Sequence, residues 1–214
     1  MGEFAGLATE HVRALDRLIR LPELGGYYLA GRTAVAHHLG HRRSLDMDFF
    51  SLSPGEDLAI TKAAVLAAID DVFVVRETDA SLHVVCGGTP VDFVRYPHPP
   101  LEPPGTGPQG VRVAGLLDLA AMKLLAIARR DLRRDFWDLF AISQSGISIA
   151  RACDAYAHRF GIAEADLYHV LRALTYFADA EADPVLPRGL APEQWTTMRA
   201  FFQHAAVNVL QGTH

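Results

Sequence analysis

This 214-residue chain has no uninterrupted apolar run long enough to cross a bilayer as a helix, which takes about 20 residues. Cysteine is scarce. Cys86 and Cys153 lie far apart and outside any metal or redox spacing, so they read as buried thiols in a reducing compartment. Positive charge is not in excess either: 20 lysines and arginines stand against 25 aspartates and glutamates, a formal charge of -5. Binding of nucleic acid through overall charge is thereby excluded, because it rests on counterion release at many phosphates, but a local basic patch is not. There is no internal repeat. The first twenty residues carry Glu10, Arg13, Asp16 and Arg17 among apolar ones, which suits an amphipathic helix and not a signal peptide, so the expected location is the cytoplasm with no membrane partner.

What is present is an ordinary globular mixture, 50% hydrophobic and 21% charged, in a chain long enough for one large domain or two small ones. Residues 5–20 read as a helix, Tyr27-Tyr28-Leu29-Ala30 as a buried strand closed by Gly31, and 33–40 as a helix ended by Gly40. A strand at 45–51 and a helix at 57–69 follow. Strands at 72–77, 82–86 and 91–96 come next, with connections short enough to favour antiparallel neighbours. The stretch 97–110 holds six of the 12 prolines and breaks the pattern. Everything beyond reads as helix: 114–130, 132–145, 148–159, 163–180 and 191–209. The expectation is an α+β protein: a mixed sheet flanked by helices over 1–97, a Pro/Gly-rich loop over 98–110, and a helical domain over 111–214.

Three carboxylates stand out. Asp46 and Asp48 are two apart in the expected strand, so both side chains leave one face and repel unless a cation lies between them. Mg²⁺ suits them, being a hard cation that takes carboxylate and phosphate oxygens. Asp92 lies inside the apolar strand Thr89-Pro-Val-Asp-Phe-Val-Arg, where a charge needs a partner. Upstream, the strand–Gly31–helix turn lets backbone amides approach phosphates and presents a helix N-terminus to an anion. Thr33 can cap that helix or bond a phosphate.

The segment Ala30-Gly31-Arg32, thirteen residues, then Asp46-Met47-Asp48 resembles the signature of the nucleotidyltransferase superfamily. More narrowly, Leu29-Ala-Gly-Arg-Thr-Ala with Gly40-His-Arg-Arg-Ser-Leu-Asp-Met-Asp-Phe-Phe-Ser51 resembles the AbiEii/AbiGii toxin family, as do Asp118-Leu-Ala-Ala-Met-Lys123 and Arg134-Asp135-Phe-Trp-Asp138-Leu139. The resemblance covers about 24–142. It implies a bacterial toxin, of a toxin–antitoxin or phage-defence pair, that moves a nucleoside monophosphate from a triphosphate onto an acceptor, favoured as the 3′ end of tRNA, with Mg²⁺ or Mn²⁺ as cofactor. By position, it places Gly31, Arg32, Thr33 and Ser44 at the nucleotide, and Asp46, Asp48 and Asp92 on metal, Asp92 as ligand or as base. It implies a contact of Lys123 with the triphosphate, and makes Asp138, ahead of Asp135, the helical acidic residue. A cognate antitoxin protein is the implied partner. Arg32 replaces the family's second glycine: its fork could add a phosphate contact, or its bulk could close the backbone approach and disable the site. A small-molecule or protein acceptor stays open as the alternative to RNA.

Other residues carry less. His37, His38 and His41 lack a third ligand and read as a solvated, mildly cationic helix face. Arg42 and Arg43 either steer triphosphate or screen the aspartates. Lys123, by its neighbours alone, would snorkel to water. Arg129, Arg130, Arg133 and Arg134, with Asp131 and Asp135 among them, read as helix-surface ion pairs, with an RNA-docking patch as the alternative. Phe136, Trp137, Trp195, Phe201 and Phe202 read as core.

Overall fold

The structure is a computed structural model that describes residues 7, 9–130, 132–182, 184 and 186–212. The chain divides into two compact units, Met1–Gly115 and Leu116–His214. Among the described residues no helix is long and apolar enough to cross a membrane.

The first unit begins with helix α1 (Thr9–Leu18), continues through strand β1 (Tyr27–Ala30), helix α2 (Gly31–Leu39), strand β2 (Met47–Ser51) and helix α3 (Leu58–Ala68), and ends in strands β3 (Val72–Glu77), β4 (Ser81–Cys86), β5 (Thr89–Val94), β6 (Gly105–Thr106) and β7 (Arg112–Val113). These make one seven-stranded mixed sheet of order β3-β4-β5-β2-β1-β7-β6. Alternation along the strands divides the sheet sharply. Met47, Phe49, Leu82, Val84, Cys86, Val91 and Phe93 are buried on one face, where Phe49 and Phe93 stack at 5.5 Å and Tyr27 meets Phe93 edge-on at 5.6 Å. The Tyr27 hydroxyl bonds Thr61 Oγ1 of α3 at 3.0 Å and joins that helix to this face; burial pushes the phenol above its usual pKa. On the other face the same strands carry Asp48, Asp92, Ser81 and His83, all half-buried.

The structure departs from the sequence reading in two places here. β2 starts at Met47, so Asp46 precedes the strand and does not share its alternation. The Pro/Gly-rich stretch is not a plain loop: β6 pairs with β7, and β7 pairs in parallel with β1 through Leu29 and Val113. Prolines exclude a central strand, yet leave room for two-residue pieces at a sheet edge. Of the helix expected at 5–20, residues 5, 6 and 8 lie outside the described residues.

The second unit holds helices α4 (Leu116–Arg130), α5 (Arg133–Gln144), α6 (Ile149–Phe160), α7 (Tyr168–Thr175), α8 (Ala178–Ala182) and α9 (Pro192–Leu210). α4 is central and packs on α5, α6 and α7, while α9 packs on α5, α6 and α7. The helix expected at 163–180 is broken, because Tyr176 is extended (φ -99°, ψ 114°). That break carries Phe177 into contact with Phe136 at 5.4 Å and Trp195 at 5.9 Å, and Phe202 packs on Phe136 at 5.4 Å. Aromatic burial of this size outweighs the loss of a few helical hydrogen bonds. Cys86 and Cys153 are free and buried, and burial raises their thiols to about 11 and about 12.

Candidate active site

β1 runs directly into Gly31, which has φ +61° and opens α2. A Cβ at Gly31 would run into the Asp48 carboxylate, so glycine is required twice, for the backbone and for the space. Asp48 therefore sits against the first turn of α2, whose amides and dipole favour negative charge. The α2 N-cap, Ala30, supplies no side-chain bond. Thr33 is not the cap that the sequence suggested. It is fully buried one turn in, and its hydroxyl donates to the Asp46 carbonyl.

Asp46 is held by its surroundings and not by the sheet. Arg32 donates to Oδ2, and Ser44 Oγ donates to Oδ1 at 3.0 Å. The arginine at the glycine position thus engages the first of the expected metal ligands. Asp48 and Asp92 are brought together instead. β2 and β5 pair in parallel with Asp48 opposite Asp92, and paired residues share a face. The row continues to His83 opposite Asp92 and to Arg76 opposite His83. His83 Nδ1 lies 2.7 Å from Asp92 Oδ1. The sequence reading missed this histidine. The signal available was the alternation Ser81-Leu82-His83-Val84, which puts His83 on the polar face. Among the described residues no three His, Cys, Asp or Glu side chains are gathered as a metal cluster.

In the second unit Lys123 is buried and not at the surface. Its Nζ lies 3.0 Å from Asp135 and 2.7 Å from Asp138, both carboxylates wholly buried. Arg130 adds bonds of 2.9 and 3.1 Å to Asp135. Burial alone would raise the pKa of Asp135, but Lys123 and Arg130 outweigh it and hold the carboxyl below its ordinary value. Asp118, first residue of the Asp-Leu-Ala-x-x-Lys motif, pairs with buried Arg159 at 2.6 Å and fastens α4 to α6. The basic cluster is partly engaged too, Arg130 by Asp135 and Arg133 over the Trp195 ring at 5.5 Å, while Asp131 lies outside the described residues. The histidine face is less solvated than expected, with His37 and His41 half-buried. Burial, then the neighbouring His38, lowers the pKa of His37, and His38 Nε2 bonds the Ala114 carbonyl at 2.8 Å.

The sequence model for the nucleotidyl transferase AbiEii toxins of type IV toxin–antitoxin systems matches residues 13–208. The chain belongs to the AbiEii toxin family. It is a nucleotidyltransferase by that membership. An uncharacterised protein of Aquifex aeolicus (strain VF5) is 29% identical over 212 residues, covering 96% of this chain and 98% of its relative. Among solved structures, MenT4, a nucleotidyltransferase toxin from Mycobacterium tuberculosis H37Rv, superposes with a TM-score of 0.57 at 18% identity, over 94% of this chain and 86% of that one. The antibiotic-resistance factor ANT(2'')-Ia does so with a TM-score of 0.54 at 17% identity, over 75% and 96%. These two likenesses speak for the fold of this AbiEii member, and its site rests on its own residues.

Proposed function

We propose that the first unit is the nucleotidyl-transfer core of the toxin and that it moves a nucleoside monophosphate from a nucleoside triphosphate onto RNA, with the 3′ end of tRNA as the favoured acceptor. The observation that carries this reading is the pairing of Asp48 with Asp92 on one face, with the Gly31 turn closed against Asp48. Two carboxylates on adjacent strands, beside a glycine turn that opens a helix, fit Mg²⁺ or Mn²⁺, since such an ion takes one or two carboxylates and completes its shell from phosphate and water. Bound there, the ion would neutralise charge on the triphosphate.

The remaining steps belong to the chain. The α2 amides at Gly31 receive phosphate oxygens. Arg32 exchanges Asp46 for the incoming triphosphate, which is the competing anion for its guanidinium, and Asp46, so freed, would be a further carboxylate able to hold the ion. Thr33 and Ser44 hold the Asp46 segment in reach. Asp92 accepts the proton of the acceptor hydroxyl as that oxygen bonds the α-phosphorus. The bond to the β-bridging oxygen breaks and pyrophosphate leaves. Lys123 and Asp138 act by holding α4 on α5, and direct contact of Lys123 with triphosphate would require that pairing to open. A cognate antitoxin would restrain the activity in the cell, and phage defence is its expected setting.

The test is incubation of the protein with Mg²⁺, total bacterial tRNA and each α-labelled nucleoside triphosphate in turn, with Asp48→Asn as control. Label entering RNA with wild type and not with Asp48→Asn supports the reading. Label entering protein or a small acceptor moves the substrate class. Silence with wild type and turnover with Arg32→Gly would mean that the Arg32–Asp46 pair holds the site shut.

A further inference from the structure

We infer that His83 is a positioning residue for nucleotidyl transfer, setting which oxygen of Asp92 faces the reacting groups. The inference rests on reading Asp48 and Asp92 as the centre of the site. Asp92 Oδ1 lies 2.7 Å from His83 Nδ1, and an ionised carboxylate can only accept, so Nδ1 carries the proton. In the neutral ring Nε2 is then an acceptor, and the atom beside it is Ser81 Oγ at 3.1 Å. Ser81 must donate to it. The Ser81 hydroxyl oxygen is in turn 2.9 Å from Thr78 Oγ1, and it is a nearer acceptor for the Thr78 proton than the Ser81 carbonyl at 3.4 Å. Thr78, Ser81, His83 and Asp92 thus form a chain in which every donor points toward the carboxylate.

Surface strands often carry hydrogen-bonded polar residues without consequence. What separates this set from them is where it ends. Its terminal acceptor sits opposite Asp48 in the parallel pair, so the imidazole orients the carboxylate that faces Asp48 across β2 and β5. Oδ1 is taken by the ring, and Oδ2 is the oxygen left for a cation or for the acceptor proton. The β3–β4 turn, distant in sequence from the Gly31 motif, therefore contributes to the site through a bond that no spacing of acidic residues foretells. Outer partners of this kind typically matter about 10- to 100-fold in activity or metal affinity.

The experiment uses the full chain with Mg²⁺, labelled nucleoside triphosphate and tRNA, and compares His83→Ala, His83→Asn and Ser81→Ala. Asparagine keeps an N–H where Nδ1 stood. His83→Ala is expected to lower kcat by about 10- to 100-fold with KM for the triphosphate within about twofold, His83→Asn to recover most of the loss, and Ser81→Ala to fall between. Equal kcat for wild type and His83→Ala, or no recovery by His83→Asn, overturns the inference. Nitrogen-15 histidine spectra give a readout independent of turnover: an Nδ1–H ring that changes on Asp92→Asn is expected, and an Nε2–H ring overturns the inference even in an active enzyme. The site reading fails separately if wild type transfers nothing and Mn²⁺ binding is unchanged by Asp48→Asn, and the inference falls with it.

Discussion

The two units each gather carboxylates around basic partners, and they do so in opposite ways. In the first, Asp92 and His83 keep about a third of their side chains in water (34% and 32%). In the second, Lys123 is 4% exposed and Asp135 and Asp138 are wholly buried. A carboxylate that faces water on a sheet can exchange a protein partner for a ligand at modest cost, since exposed ion pairs are weak. A buried one cannot do so cheaply, because each counter-charge it loses weakens the compensation of a charge held in a low-dielectric interior. The first arrangement suits binding and turnover, and the second suits cohesion of a helical unit.

Lys123→Met should break the buried cluster hardest. It leaves Asp138 without its Lys123 partner and should cost about 3–5 kcal/mol in unfolding free energy, read by urea denaturation followed by circular dichroism. Asp48→Asn should do the reverse. It is expected to lower nucleotidyl transfer by about 100- to 1,000-fold, the range found when a group that stabilises transition-state charge is removed, and to leave the urea midpoint close to wild type. Equal loss of stability in the two variants would erase the contrast.

Acid should separate the units next. Asp135 is held below the ordinary value of 3.8, so its contribution to stability is complete above that pH and is lost as pH falls through its lower folded value. Unfolding profiles of wild type and Asp135→Asn, followed from pH 7 to pH 2, should therefore converge only at the acid end. Convergence already at neutral pH would mean that the cluster contributes nothing. Arg32→Gly should give the smallest effect: Mn²⁺ affinity without nucleotide rising by about fivefold at most, the worth of a part-exposed ion pair, measured by calorimetry. No rise would show that Arg32 does not compete for Asp46.

Local pattern was enough for strands β1 to β5, for the helices up to 160 and for the glycine turn, because alternation, helical periodicity and Gly31 are written within a few residues of each other, whereas β6 and β7 are two-residue pieces in a Pro/Gly-rich stretch that carry no alternation of their own. The partnership of Asp48 with Asp92 was legible in kind, as acidic groups in neighbouring strands, while their register was not, since register joins segments 44 residues apart. His83 escaped for the same reason. Asp46 was misplaced because the first turn of α2, through Thr33 and Arg32, holds it more firmly than the sheet ladder does. The reading of Lys123 from its neighbours alone, as snorkelling to water, fails because a lysine among apolar neighbours signals burial only once its counter-charges from the next helix are known. The Phe177 break depends on aromatic rings from α5 and α9, which no window around it contains.

Ala114 bonds the elements on both sides of the Gly31 turn: its N–H donates to the Leu29 carbonyl at 2.9 Å, and its carbonyl accepts from His38 at 2.8 Å. It is also nearly the last residue before the second unit begins. A pull on the chain at that junction would be borne first by those two bonds, one to β1 and one to α2. The turn at Gly31 is thereby clamped mechanically from behind.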